Sequence, residues 1–208
     1  QRIAFGSEIK ALLAYLGSMQ GVDLLALNEY FSFQNILSRR TLFENIRVFP
    51  PGHFEQIAPD GRGAGPRRYW DFSFRGDDVR SPEELAEELH ARLCKAVKRQ
   101  CVSDVPVGSF LSGGIDSGSV TALATHYLGR ITTFTGGFDL SEAATHEQSF
   151  DERELAEHMA AHLQTEHYEC VLHAGDMEAV LDDLVWHLED LRVGQCYPNY
   201  YLSRLAGR

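Results

Sequence analysis

Residues 112–118 read Ser-Gly-Gly-Ile-Asp-Ser-Gly, between a short apolar run (104–111) and a helical pattern. A strand, a glycine-rich turn and a helix start together make an anion site. The glycines let the backbone approach closely, and the first helical turn offers unpaired N–H groups and the positive end of its dipole. Ser112, Ser117 and Ser119 add hydroxyl donors. An ordinary turn with capping serines would need neither paired glycines nor an acid. A Walker A loop has Lys and then Ser/Thr after its last glycine, whereas Gly114 is followed by Ile115 and Asp116. A dinucleotide fingerprint needs GxGxxG, which is also missing. Asp116 would repel phosphate unless a cation lay between them, so it reads as a Mg²⁺ ligand bridging to phosphate oxygens. The blander reading, a first-turn acid favoured by the helix dipole, leaves the glycines unexplained.

The elements that must position this loop are alternating strands and helices. Ser81-Pro82-Glu83-Glu84 is a helix start, with Ser as N-cap, Pro at N1 and Glu at N3. Leu85, Leu89, Leu93, Ala96 and Val97 continue it to about Cys101. Strands are expected over 104–111, 131–137 and 166–172, and helices over 117–128, 151–163 and 198–206. The helix over 151–163 should carry Leu155, Met159 and Leu163 on one face. Another helix, capped by Asp176, should run on through Leu188. This pattern predicts parallel βαβ units in a doubly wound α/β sheet with helices on both faces. The first 77 residues differ: a strand over 2–5, a helix from Ser7, a helix and turn over 28–40, and a hairpin with strands over 54–57 and 67–72. A domain boundary is expected near residue 78, giving domains 1–77 and 78–208.

Bulk properties exclude several classes. A net charge of −11 argues against a general nucleic-acid surface, which needs clustered Lys and Arg. No run of about 18 apolar residues exists, so no membrane span is expected. The four cysteines form no CxxC pair, and Cys94 and Cys101 are too far apart on one helix to bridge, so reduced thiols in the cytoplasm are expected. His158 and His162 have helical metal-ligand spacing with His167 nearby, but Met159 stands where a catalytic Glu would follow and no fourth ligand is evident, which favours surface or packing histidines. Glu189 and Asp190 end a helix, where the dipole disfavours acids. Asp151 and Glu152 read most simply as a helix start, with a role near the site as the alternative, and Tyr197, Tyr200 and Tyr201 as core and interface rather than base stacking.

SGGIDSG resembles the SGGxDS loop of the PP-loop ATP pyrophosphatases. With its surroundings it resembles the synthetase domain of the glutamine-hydrolysing asparagine synthetase family. FGSEIKALL is similar to the end of that family's glutaminase domain, and TLFENIRVFPPGHF and RRYWDF to its interdomain segment. TTFTGGF, FDERELAEHMAAHLQTEHYE and LVWHLED…YPNYYLSRLA follow in the family's order, so the likeness covers nearly the whole chain. The resemblance implies a truncated PP-loop sheet preceded by a small α+β remnant of a glutaminase domain. It implies cleavage of ATP between the α- and β-phosphates. A carboxylate, aspartate in the family, forms an acyl-adenylate; ammonia from glutamine then gives the amide, AMP and pyrophosphate. Ser112, Gly113, Gly114, Asp116 and Ser117 match the pyrophosphate motif, with Asp116 on Mg²⁺. Leu111 matches a position whose backbone meets the nucleotide. Gly136 stands where the family has Val or Ile against adenine, and Gly118 where Ser is common. The implied partners are small molecules and, as in many family members, a second copy of the chain.

Rival readings share the loop: an amide-forming cyclase such as a β-lactam synthetase or lasso-peptide cyclase, or a non-catalytic ATP-binding domain. The family's N-terminal cysteine nucleophile, its second loop SGxGGDE and its catalytic lysine have no counterpart in this sequence. The expectation is therefore a fragment of a longer synthetase. It should bind ATP weakly at best and form no amide, and glutamine- or ammonia-dependent AMP formation by these 208 residues would contradict that.

Overall fold

Asp23 sets the geometry of the first part of the chain. Its Oδ1 accepts the N–H groups of Leu25 (3.0 Å) and Ala26 (3.1 Å), and its Oδ2 meets Arg40 Nη1 at 2.6 Å. In the computed structural model, which describes residues 3–18, 20–74, 76, 79–140, 151–192 and 196–208, two compact units are seen. The first comprises residues 1–77 with 185–193, and the second residues 78–184 with 194–208.

The first unit holds α1 (Ile9–Leu16) and α2 (Leu24–Phe33). The helix expected over 28–40 is displaced because Asp23 starts it earlier and Gln34, at φ 53°, ends it. Ile3–Phe5 pairs with no strand among the described residues, and α1 begins at Ile9 rather than Ser7. The hairpin is reduced to β1 (His53–Phe54) and β2 (Arg67–Arg68), antiparallel, with one further bridge between Ile57 and Gly63. Side chains take N–H groups that a longer ladder would use: Glu55 accepts from Gly65 and Asp60 from Arg62. Pro66 has no N–H to give.

Glu189 belongs to this unit. At φ 55° it stands just beyond a helix end, and its carboxylate accepts the N–H groups of Ile9 (2.6 Å) and Lys10 (2.5 Å). An acid badly placed for its own helix thus caps the N-terminus of α1. Burial alone would push its carboxyl up. The two donors and the Lys10 ammonium outweigh burial and hold it below the ordinary value of 4.5.

The second unit contains α3 (Pro82–Gln100), β3 (Gly108–Phe110), α4 (Ile115–Leu128), β4 (Thr132–Phe138), α5 (Arg153–Leu163), β5 (Glu166–Leu172), α6 (Asp176–Ala179), the first half of α7 (Leu181–Leu188) and α8 (Tyr197–Ala206). Ser81 and Glu84 form the expected capping box of α3, each side chain taking the other's N–H. The strands form a parallel sheet in the order β3-β4-β5, with Gly108 opposite Thr132 and Thr132 opposite Glu166. Adjacent residues of β4 face opposite ways. A Cβ at Gly136 would meet Leu202 of α8, and one at Gly137 would meet Arg153 of α5.

Several boundaries differ from the sequence reading. β3 is shorter than 104–111 because Pro106 cannot donate to a ladder. α4 starts at Ile115, two residues early, with Gly114 as N-cap. α5 buries Ala156 and Ala160, while Leu155 is 59% exposed: small residues let the helix lie close to the sheet. Gly175 rather than Asp176 is the N-cap of α6, and Val180, at φ −118°, separates α6 from α7. The stretch 139–149, whose composition reads as a polar loop, lies mostly outside the described residues.

Replacing Glu189 by Gln should destabilise the protein by about 1–2 kcal/mol at neutral pH, the scale of losing a helix cap. The folded value is lowered, so the wild-type advantage is complete above the ordinary glutamate value and is lost as pH falls through the folded one. Thermal melts of both proteins from pH 7 to pH 3 should converge at the acid end.

Candidate functional site

Leu111 ends the sheet and begins the loop. Its side chain is 1% exposed and packs with Ala156 and Ala160 of α5. Its N–H donates to Phe134 O at 2.9 Å, and its carbonyl accepts the Thr135 hydroxyl. Behind the loop, the hydroxyls of Ser109 and Thr121 meet at 2.8 Å, tying β3 to α4.

From this anchor the backbone reverses into α4. Gly113 has φ 77°, a left-handed conformation that disfavours any residue with a Cβ. A Cβ there would also lie 2.6 Å from Leu155 Cβ and 3.1 Å from Ala156 N. The sharp turn and its fit against α5 therefore require the same glycine. Gly114 opens α4 with no side-chain cap, so its first N–H groups face outward without a side-chain acceptor. Asp116 sits exposed in that first turn.

The serines close the loop. Ser112 N–H donates to Ser117 Oγ at 3.1 Å, and Ser117 Oγ donates to Gly114 O at 3.1 Å. The two hydroxyl oxygens are 3.0 Å apart, and Ser117 has given away its one proton, so Ser112 is the donor between them. An incoming anion would exchange these internal bonds for bonds to itself.

A cavity of about 250 Å³ lies beside the loop, lined by Leu111, Ser112, Ser117, Thr135 and Gly136 on one side and by Pro198, Asn199 and Leu202 of α8 on the other. Four of the sequence-derived positions, Leu111, Ser112, Ser117 and Gly136, therefore share one cavity. Gly113, Gly114 and Asp116 do not line it: Gly113 faces α5, while Gly114 and Asp116 form the start of α4. Gly136 leaves the space that Leu202 occupies, with Leu202 Cδ1 3.4 Å from the Cβ position. A Val or Ile there would press on Leu202.

Sequence reasoning missed Thr135, Asn199 and Leu202. Thr135 looked like one more strand residue, and the α8 residues are remote from the loop in the chain. Among the described residues no group of three or more His, Cys, Asp or Glu side chains converges to hold a metal. Asp116 alone suits Mg²⁺ only in its usual mode, with one carboxylate and the remaining positions filled by water and substrate phosphates. His167 Nδ1 lies 2.9 Å from Thr133 Oγ1, a packing contact within the sheet. No helix of the described residues is long and apolar enough to cross a membrane.

Gly113→Ala should cost at least about 1–2 kcal/mol from the left-handed conformation alone. Gly118→Ala should stay within about 1 kcal/mol of wild type, because it meets only the flexible end of Met159 and favours the helix. Denaturant unfolding of both variants measures the contrast.

Residues 88–208 match the asparagine synthase family, and residues 1–70 match the glutamine amidotransferase domain. The chain is 31% identical over 207 residues to asparagine synthetase [glutamine-hydrolyzing] 1 of Bacillus subtilis, covering 99% of this chain and 31% of that protein. It is 33% identical over 195 residues to asparagine synthetase 3 of the same organism, covering 89% of this chain and 30% of that one. It thus spans about a third of the length of these relatives. A solved NMN synthetase from Francisella tularensis matches 62% of the chain, and the chain covers 51% of it, at 24% identity and a TM-score of 0.34, a likeness too low to carry an argument. With the family match covering more than half of its residues, the chain belongs to the asparagine synthase family.

Proposed function

We propose that this chain supplies the ATP-binding loop of an amide-forming ligase. In the full-length protein, a carboxylate would be activated as an acyl-adenylate and then converted to an amide. The observation that carries this reading is the cavity joining Leu111, Ser112 and Ser117 of the lysine-free loop to Gly136. The loop would hold the β- and γ-phosphates of ATP and retain them as pyrophosphate when the α–β bond breaks. Gly113 and Gly114 would let the phosphates approach the N–H groups at the start of α4, and Ser112 and Ser117 would donate their hydroxyls. Leu111 and Gly136 would border the nucleoside. Preorganised N–H donors of this kind stabilise charge as it develops on the departing group. Asp116 would hold Mg²⁺, which when bound neutralises phosphate charge.

The family and its named relatives support aspartate as the acyl substrate and glutamine-derived ammonia as the amine. We read residues 1–77 as the end of a glutaminase domain with its interdomain hairpin, and residues 78–208 as the first part of the synthetase domain. We read the three-stranded sheet, with α8 against Gly136 and α5 against Gly137, as part of a doubly wound sheet. The edge of β3 away from β4 would then be the side on which further strands pair.

ATP–pyrophosphate exchange by the full-length protein tests this reading. Exchange should require a carboxylate, with aspartate the most effective, and Asp116→Ala should reduce it by about 10²-fold, the scale of removing one group that stabilises developing charge. Exchange that requires a different carboxylate would replace the substrate assignment. Absence of exchange with every carboxylate would overturn the adenylation chemistry.

A further inference from the structure

The backbone of β4 alternates its hydrogen-bonding side. Phe134 O accepts from Leu111 on the β3 side, whereas Ile131 O accepts from Glu166, and Asp139 N–H donates to Leu172 O, on the β5 side. Even-numbered residues of β4 therefore send N–H and C=O toward β3, and Gly136 is the next of them. A parallel ladder continued by one rung would take the Gly136 N–H to Leu111 O. Thr135 interrupts it: this side chain, 2% exposed, gives its hydroxyl proton to that carbonyl. Beyond Leu111 the chain turns away into the loop, and Gly136 lines the cavity.

We infer that Thr135 is a positioning residue: by capturing the Leu111 carbonyl, its hydroxyl ends the β3–β4 ladder one rung early and leaves the backbone edge of Gly136 to read the base of a bound nucleotide. A backbone N–H beside its neighbouring C=O matches an adenine edge, which presents an acceptor nitrogen beside an amino donor. It opposes a guanine edge, which presents a ring N–H beside a carbonyl. The same bond fixes the Leu111–Ser112 peptide plane. Because that unit is planar and trans, tying its carbonyl to Thr135 turns the Ser112 N–H the opposite way, toward the loop, where Ser117 Oγ accepts it. One buried hydroxyl thus orients both the base edge and the first amide of the phosphate loop. Without it, the Leu111 carbonyl would be left to the Gly136 N–H, closing the ladder across the base site.

The inference rests on the nucleotide site proposed above, and the test separates the two. ATP and GTP affinities are measured for the full-length wild type, Thr135→Val and Thr135→Ser, together with melting temperatures. Thr135→Ala replaces the valine variant if that protein does not fold. Removing the hydroxyl should weaken ATP about fivefold, the scale of one net hydrogen bond, and weaken GTP by less, because GTP loses only the orientation of the phosphate-loop amide, so that base preference falls. Thr135→Ser should remain within about twofold of wild type, because it keeps the donor. Equal weakening of ATP and GTP, unchanged ATP affinity in the valine variant, or a serine variant as poor as the valine one would each overturn the role of Thr135. A wild type that binds no ATP would overturn the nucleotide site itself.

Discussion

Leu111 is held at three points: its side chain against Ala156 and Ala160, its N–H by Phe134 O, and its carbonyl by Thr135 Oγ1. These points lie on α5 and on β4, so the residue at which the sheet gives way to the loop cannot move independently of either element. Burying a leucine side chain contributes about 1.5–3 kcal/mol, enough to fix the departure point of a short loop. Everything downstream inherits that position. Gly113 must turn in a left-handed conformation because α5 leaves no room for a side chain, and the turn delivers Gly114 to the start of α4.

This anchoring fixes the donors of a loop that has no lysine, in a chain of net charge −11. The donors are backbone N–H groups at an uncapped helix start and two serine hydroxyls, none of which titrates. Their strength depends on orientation, and orientation comes from the buried side: Leu111, Thr135, and the Ser109–Thr121 pair. The loop's own bonds, from Ser112 to Ser117 and from Ser117 to Gly114, hold the same donors in place with internal acceptors.

The loop was legible in the sequence because its requirements are local. A plain strand-to-helix turn does not call for paired glycines, serines and an acid together, and the capping box at Ser81 is equally self-contained. The parallel order of the strands followed from their alternation with helices. What could not be read were facts set by distant partners. Leu155, Met159 and Leu163 make a plausible apolar stripe, yet close packing on the sheet selects Ala156 and Ala160. Glu189 is a poor ending for its own helix, and only its contact with the N–H groups of Ile9 and Lys10 accounts for it. Thr135 and the α8 residues Asn199 and Leu202 join the site through folding alone, and no local pattern marks them. Strand lengths were overestimated wherever a proline or a side-chain acceptor removed an N–H from the ladder, as at Pro106 and Glu55.

Under the function we propose, the loop serves cleavage of ATP between the α- and β-phosphates. An oxygen-labelling experiment on the full-length protein tests it most directly, with the acyl substrate carrying ¹⁸O in the carboxylate that becomes the amide. The adenylate route predicts one ¹⁸O in the phosphate of the AMP produced, with unlabelled pyrophosphate. Label in inorganic phosphate, with ADP as the nucleotide product, would mean attack on the γ-phosphorus and would contradict the account.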